Sequence, residues 1–312
     1  MLKSPELILT LSLCIIASIA IYLHQLPGIP ERPPRPSRFV VPRPPTPPID
    51  TSSTPYNEDL IVSLLTKLYN LLIEIGYLPS ETVVFPPPTG HDINVALCEA
   101  LNIDPAVISL MKRIPYTNHR VNDSEQLEYP IFQGAWMYNF LQDDDTEQSR
   151  DPEWGPWSDD ARREYILPHD LALTGAEDPD MEWLVLDTKE NTIRRVGHIA
   201  HDDGAVLERP EDPNHYRNTS TENAASFLIT YIERIESLGL LPFAHDYWQG
   251  VLDCNDSLHY PLKKILIEDY GWPGHFRRED WLQDKTSIWE RVQSEHEEWK
   301  NRADDEVRNT TK

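Results

Sequence analysis

Cysteine is scarce here, with three in 312 residues. Cys14 lies inside an apolar run, which leaves Cys98 and Cys254 as the one pair the remainder could form. Their wide separation lacks metal-ligand spacing, and one pair is no disulfide framework, so pairing and redox compartment stay open. Positive charge is the second shortage. Lys and Arg number 28 against 52 Asp and Glu, a formal net charge of −24. Such a surface repels phosphate backbones, which argues against nucleic acid as a partner. Catalytic signatures are missing as well: there is no G-x-S-x-G, H-E-x-x-H, P-loop, G-x-G-x-x-G or C-x-x-C. Those absences lean against an enzyme, and no cofactor is implied.

What is present begins with one long hydrophobic run. Leu7 to Leu23 carries no charge, and at 1.5 Å per residue a helix there would nearly match a hydrocarbon slab of roughly 30 Å. The reading is a single-pass transmembrane helix with the lipid bilayer as partner. A cleaved signal peptide is the alternative, because Lys3 supplies a positive start and Ser18-Ile-Ala20 a small-x-small site. The run continues past that site, which favours an uncleaved anchor. Arg32, Arg35, Arg38 and Arg43 follow the run, and their excess favours a cytosolic-facing body. Sequons at Asn122, Asn218, Asn255 and Asn309 argue the other way, since they would carry glycans only in a lumen.

Four regions follow: an anchor or signal segment over 1–24, a proline-rich spacer over 25–56, a globular α+β domain over 57–275, and a charged helix and tail over 276–312. From Pro27 to Pro55 proline recurs every few residues, a composition that favours extended polyproline II and packs no core. Arg32-Pro-Pro-Arg-Pro36 could dock a PxxP-reading domain, but a spacer is the simpler reading. Hydrophobic residues at 39% and nine Trp say that the body folds.

Asn57 is placed to cap a helix with Leu60, Leu64, Leu68, Leu71 and Ile75 on one stripe and Gly76 at its end. Asp92 opens a second helix, and Asp104-Pro105 is an N-cap followed by proline at the first helical position. The acidic, Trp-bearing stretch from Asp143 to Arg163 reads as a surface loop, and its acids could meet a basic protein partner. Met181 to Asp187 is apolar enough for a buried strand, and Lys189-Glu-Asn191 turns it into Thr192 to Val196, a β-hairpin. A helix from Glu222 to Leu238 places Phe227, Leu228, Tyr231, Ile232 and Ile235 inward. After Arg278, Trp281, Ile288, Val292 and Trp299 share a face of a helix laid on the domain, with a partner-binding helix as the alternative. The expected class is therefore α+β: an N-terminal transmembrane helix, a helical subregion, and a small antiparallel sheet flanked by helices.

His198-Ile-Ala-His201-Asp202 is the best metal candidate by residue type, but it follows a strand with no helix to bring its imidazoles together. Solvated loop histidines are the plainer reading. His169-Asp170, near Asp178 and Asp180, could be cast as an acid-base group, yet with 52 acids a His beside carboxylates is expected by chance.

Leu167-Pro-His-Asp-Leu-Ala-Leu-Thr-Gly175, Glu182-Trp-Leu-Val-Leu-Asp-Thr188, Ile193-Arg-Arg-Val196 and Ala225-Ser-Phe-Leu228 stand in an order that resembles the SUKH superfamily, which includes fungal cell-wall-synthesis regulators. The first helices, with Tyr77-Leu-Pro79 and Val107-Ile-Ser-Leu-Met111, look like filamentous-fungal proteins of the same layout. The resemblance implies an antiparallel sheet in an α+β domain that acts as an interaction scaffold, with no catalytic residues to carry over. Two departures stand out: the glycine usual after the strand pair is Asn191, and acidic Glu177-Asp-Pro-Asp180 replaces a glycine-rich loop. The expected function is thus a membrane-tethered, non-catalytic interaction domain with a protein partner, and Trp183, Asp187, Trp281, Trp289 and Trp299 are the binding candidates. A luminal or secreted hydrolase using His169, His198 and His201 is the alternative.

Overall fold

The computed structural model describes residues 55–118, 129–132, 134–152, 164–175, 183–197, 207–212, 215–243 and 250–310, with side chains of the last helix described as far as residue 303. The expected sites at Leu7–Leu23, most of the proline-rich spacer, Asn122, Asp178, Asp180, His198, His201 and Asp202 lie outside the described residues.

Helix α1 (Glu58–Glu74) starts where Asn57 Oδ1 accepts the Leu60 N–H at 3.1 Å. That bond satisfies one of the donors every helix leaves open at its start. Its buried stripe runs through Ile61, Leu65, Leu68 and Leu72, and Leu60, expected inward, is 40% exposed. Gly76 ends the helix at φ +77°, and a Cβ there would come within 2.3 Å of the Leu282 side chain. The backbone conformation favours glycine, and a larger residue would also have to push the tip of the Leu282 side chain aside. A 3-10 turn (Ser80–Thr82) leads into β1 (Val83–Val84), and α2 (Val95–Ala100) is capped by Asn94 rather than Asp92. Helix α3 (Pro105–Met111) has Asp104 accepting the Ala106 N–H at 2.9 Å, and β2 (Tyr116–Thr117) pairs antiparallel with β1. Of the stretch expected as loop, Asp143 to Arg163, the first six residues instead form helix α4 (Asp143–Gln148) after β3 (Trp136–Met137), and residues 153–163 lie outside the described residues. Its three leading acids sit at the positive end of the helix, where negative charge is favourable.

Strands β4 (Asp170–Ala172), β6 (Trp183–Asp187), β7 (Thr192–Val196) and β8 (Thr221–Asn223) form a four-stranded antiparallel sheet in the order β4-β6-β7-β8. Strand β5 (Thr174–Gly175) pairs with β3. The hairpin between β6 and β7 turns at Asn191, which takes φ +56°, a region short polar side chains tolerate. Every residue of β6 is buried because the sheet is covered on both faces. Alternation sends Leu184 and Leu186 to the large core and Trp183, Val185 and Asp187 to the other side. Helix α5 (Ala224–Glu236), capped by Asn223, packs on β7 and on α1.

After the short pair β9 (Leu241–Pro242) and β10 (Val251–Leu252), two helices complete the described residues: α6 (His259–Glu268) and α7 (Arg278–Thr310). Both help close earlier helices. The Trp281 indole donates to the Ile75 carbonyl at 2.8 Å, Arg278 donates to Ile73, and Lys285 donates to Gly76. Helix α1 has no basic residue in its last turn, so its open carbonyls and negative end are met by side chains from α7. His259 and Lys263 bond the Leu238 carbonyl just past the end of α5 in the same way. Asp50–Lys312 forms one unit, and α7 belongs to it through buried Trp281, Ile288 and Val292.

The expected architecture is corrected in one respect. The fold is α+β with seven helices and small antiparallel sheets among the described residues, but none of those helices is long and apolar enough to cross a membrane. The reason is physical. Helix α1 is 17 residues with one apolar stripe, and α7, at 33 residues, is charged along its length.

Candidate functional site

The densest chemistry among the described residues lies on the second face of the sheet. The register of β4 on β6 sets Asp170 directly opposite Asp187. Two carboxylates in that position repel each other. The conflict is resolved from outside the sheet by Arg217, in a 3-10 turn (Tyr216–Asn218). Its Nη1 donates to Asp170 Oδ2 at 2.9 Å and to Asp187 Oδ2 at 2.8 Å, and its Nε donates to Glu208 at 2.9 Å. Arg194, on the same face of β7, donates to Glu208 and to the carbonyls of Arg217 and Thr219. The Tyr216 hydroxyl donates to Asp170 Oδ2 at 2.6 Å and accepts the Leu167 N–H at 3.0 Å. Arg150 supplies a third guanidinium, which donates to the carbonyls of Ile166, Leu167 and Asp170.

Protonation follows from these contacts. Burial opposes the charge on Arg217, but the bond to Asp187, the field of Asp170 and the bond to Glu208 outweigh it and raise its pKa. Asp187 is driven up by burial and more strongly down by the Glu190 N–H, Arg217 and the Lys189 N–H, and ends below its ordinary value. Asp170 ends above its ordinary value, because desolvation and the neighbouring Asp187 outweigh the hydrogen bond from Tyr216 and the charge of Arg217. Burial also brings Arg150 down to about 10.

His169, Asp170 and Asp187 present ligand atoms all within 4.8 Å of one another. One imidazole and two carboxylates are a reasonable donor set for zinc. Here, however, Arg217 Nη1 lies on oxygens of both carboxylates, so a metal cation would have to stand against a guanidinium. The group works as a buried ion pair. Nor does Tyr216 qualify as a nucleophile: it is wholly buried, and desolvation and Asp170 raise its pKa. What the cluster does is join β4, β6, β7 and the 3-10 turn around one shared network, in which the buried Nε atoms of Arg150 and Arg194 are left without a hydrogen-bond partner among the described residues.

The sequence-expected binding residues separate in the structure. Trp183 is buried in the small second cluster with Tyr165, Val185 and Tyr216, and Asp187 belongs to the ion network. Trp281 lies in the main core, edge-on to Phe243, while half-buried Trp289 stacks on the same Phe243 ring. Only Trp299 is well exposed, at 59%, beside the His296 ring. Asn218 is buried, with its amide donating to Arg209 and Asp212 and accepting from Arg209, whereas Asn255 is exposed. Asn309 falls within α7. Cys98 is buried and Cys254 exposed, and both are free thiols. Arg150, Arg194 and Arg217 were missed by sequence reading. Arg150 and Arg217 are single basic residues in ordinary stretches, and Arg194 stands beside Arg195 on a strand, with no spacing signal to mark any of them.

A second feature is an open groove between α5 and the sheet. Phe227, Tyr231 and Arg234 follow one another at i, i+4 and i+7 and so share a face of α5. Leu184 and Arg195, opposed in the β6–β7 register, form the facing wall with Phe132 and Leu240. The groove is shallow, with about 60 Å³ of enclosed room beneath an open mouth. Phe227 and Tyr231 stack with ring centroids 6.3 Å apart, Phe132 lies 4.5 Å from Tyr231, and the Tyr231 hydroxyl is tied to the Ile131 carbonyl. No family model, curated protein or solved structure matches the chain.

Proposed function

We propose that this chain is a protein-interaction domain, scaffold or regulatory in role, held at a membrane through the hydrophobic segment Leu7–Leu23. The observation that carries the reading is a contrast between the two features above. The group best equipped for chemistry is consumed in an ion network that ties the sheet together, while the aromatic groove stands open beside two exposed arginines. Rigid aromatic rings and arginine are the side chains most enriched at the centres of protein interfaces. Trp299, exposed on α7, adds apolar surface of the same kind. The SUKH-like order of hairpin and following helix agrees with a scaffold, and a cytosolic-facing body is the orientation the arginines after Leu23 favour.

The test is affinity purification of the full chain from a detergent extract of membranes, in replicate, with quantitative mass spectrometry. One reproducible partner at near-stoichiometric yield is expected, and its absence from every replicate would overturn the interaction reading. Recovery of the chain in the soluble rather than the membrane fraction would overturn membrane attachment separately.

A further inference from the structure

The groove has a chemistry that selects its occupant. We propose that it binds an acidic, extended segment of a partner protein, which inserts one large apolar side chain against Phe132, Phe227 and Tyr231 and sets its flanking carboxylates on Arg195 and Arg234. This rests on the interaction reading above and names the partner's chemistry.

Three observations lead there. The apolar wall is built before any partner arrives. Its rings pack on one another, and Tyr231 is held at both ends, by the stack on Phe227 and by its bond to the Ile131 carbonyl. A partner therefore loses little by ordering it. The rim is basic in a chain whose formal net charge is −24. Arg195 and Arg234 are both exposed, one from β7 and the other from α5, and their planar guanidiniums suit carboxylates. Finally, the enclosed room is small, about 60 Å³, so the groove takes one side chain and not a longer apolar face, and an extended segment fits better than a packed helix. Charge complementarity decides the sign of the partner. Its acids are repelled by most of this surface, but a Debye length of about 8 Å at physiological ionic strength screens distant charge and leaves the contacts with the two arginines. A polyanionic nucleic acid fits poorly, because its repulsion extends over a long backbone.

The experiment uses the full chain in detergent and a fluorescein-labelled peptide, Glu-Asp-Glu-Phe-Asp-Glu-Asp, read by anisotropy at physiological salt. Two companion probes replace the central Phe by Ser, or every acid by Lys. Saturable binding of the Phe peptide is expected, at least tenfold weaker with the Ser peptide and absent with the Lys peptide. Arg234→Glu, at an exposed position, should weaken it at least tenfold with an unchanged melting temperature. Phe227→Ala should weaken the Phe peptide but leave the Ser peptide as it was. Equal binding of Phe and Ser peptides, or indifference to Arg234→Glu, would overturn the groove as the site, as would no saturable binding. The two readings fail separately: a partner captured equally by wild type and Arg234→Glu sinks the groove and leaves the interaction domain standing. Peptide binding with no cellular partner does the reverse.

Discussion

Arg217 Nη1 sits 2.8 Å from Asp187 Oδ2, across 30 residues of sequence, and the same nitrogen lies 2.9 Å from Asp170. One guanidinium thereby bridges two aspartates that the β4–β6 register forces to face each other and offsets one of their two charges. Its removal strands both.

Arg217→Met keeps much of the side-chain volume and removes the charge. Loss of one partner from a buried ion pair costs about 3–5 kcal/mol, because the remaining charges are left uncompensated. Urea denaturation followed by circular dichroism should show a loss of that size, and a loss below about 1 kcal/mol would mean the network is not what holds these strands together.

The network also sets a response to acid. Asp187 and Glu208 sit below their ordinary values of 3.8 and 4.5. Groups of that kind contribute stability above the ordinary value and lose it as pH falls through the folded one. Asp170, raised above 3.8, works in the opposite sense: its contribution is present below that value and fades as pH rises through its folded pKa. Stability should therefore fall on acidification below pH 4.5, with the decline partly offset by Asp170. Glu208→Gln should shallow the fall in melting temperature between neutral and acidic buffer, and an unchanged slope would count against this assignment.

The two ends of the α7 face should respond differently. Trp281 is 2% exposed and bonded to Ile75, so Trp281→Ala should cost about 3–5 kcal/mol. Trp299 is 59% exposed, and Trp299→Ala should stay within about 0.5 kcal/mol of wild type. Paired chemical denaturation curves decide the point.

Helix α1 offers a test of local signals. Asn57→Ala removes the cap bond to Leu60 and should cost about 1 kcal/mol. Gly76→Ala meets both a positive φ and the Leu282 side chain, and should cost about 1–2 kcal/mol or more. Thermal melts that rank these two in the reverse order would show that Leu282 moves aside at little cost.

The sequons separate by burial. With the chain directed into a glycosylating compartment, glycopeptide mass spectrometry should find Asn255 modified and Asn218 bare, because the Asn218 amide is spent on Arg209 and Asp212. A glycan on folded Asn218 would contradict that geometry.

The sequence by itself determined what depends on neighbours a few residues apart. Asn57 and Asp104 cap their helices because the bond reaches only two or three residues, and Asn191 turns the hairpin because its side chain tolerates a positive φ. The α+β class is legible from the same local periods, and so is the α7 stripe through Trp281, Ile288 and Val292, whereas Trp299, on the same face by period, stays exposed. The acidic stretch from Asp143 carries no periodic signal, so nothing in it announces the short helix at Asp143–Gln148. Leu60 shares its period with buried Leu64, Leu68, Leu71 and Ile75, yet at the first turn of the helix it stays 40% exposed, which the period alone does not tell.

The remaining features depend on contacts between distant parts of the chain. Asp170 and Arg217 are 47 residues apart, and the strand register that faces Asp170 to Asp187 has no local signature. The docking of α7 depends on carbonyls left open at the end of α1, more than two hundred residues earlier, an unmet demand visible only once both helices are placed. The groove has the same origin. Phe227, Tyr231 and Arg234 share a helix face by period alone, but β7 had to bring Arg195 opposite before that face became a site.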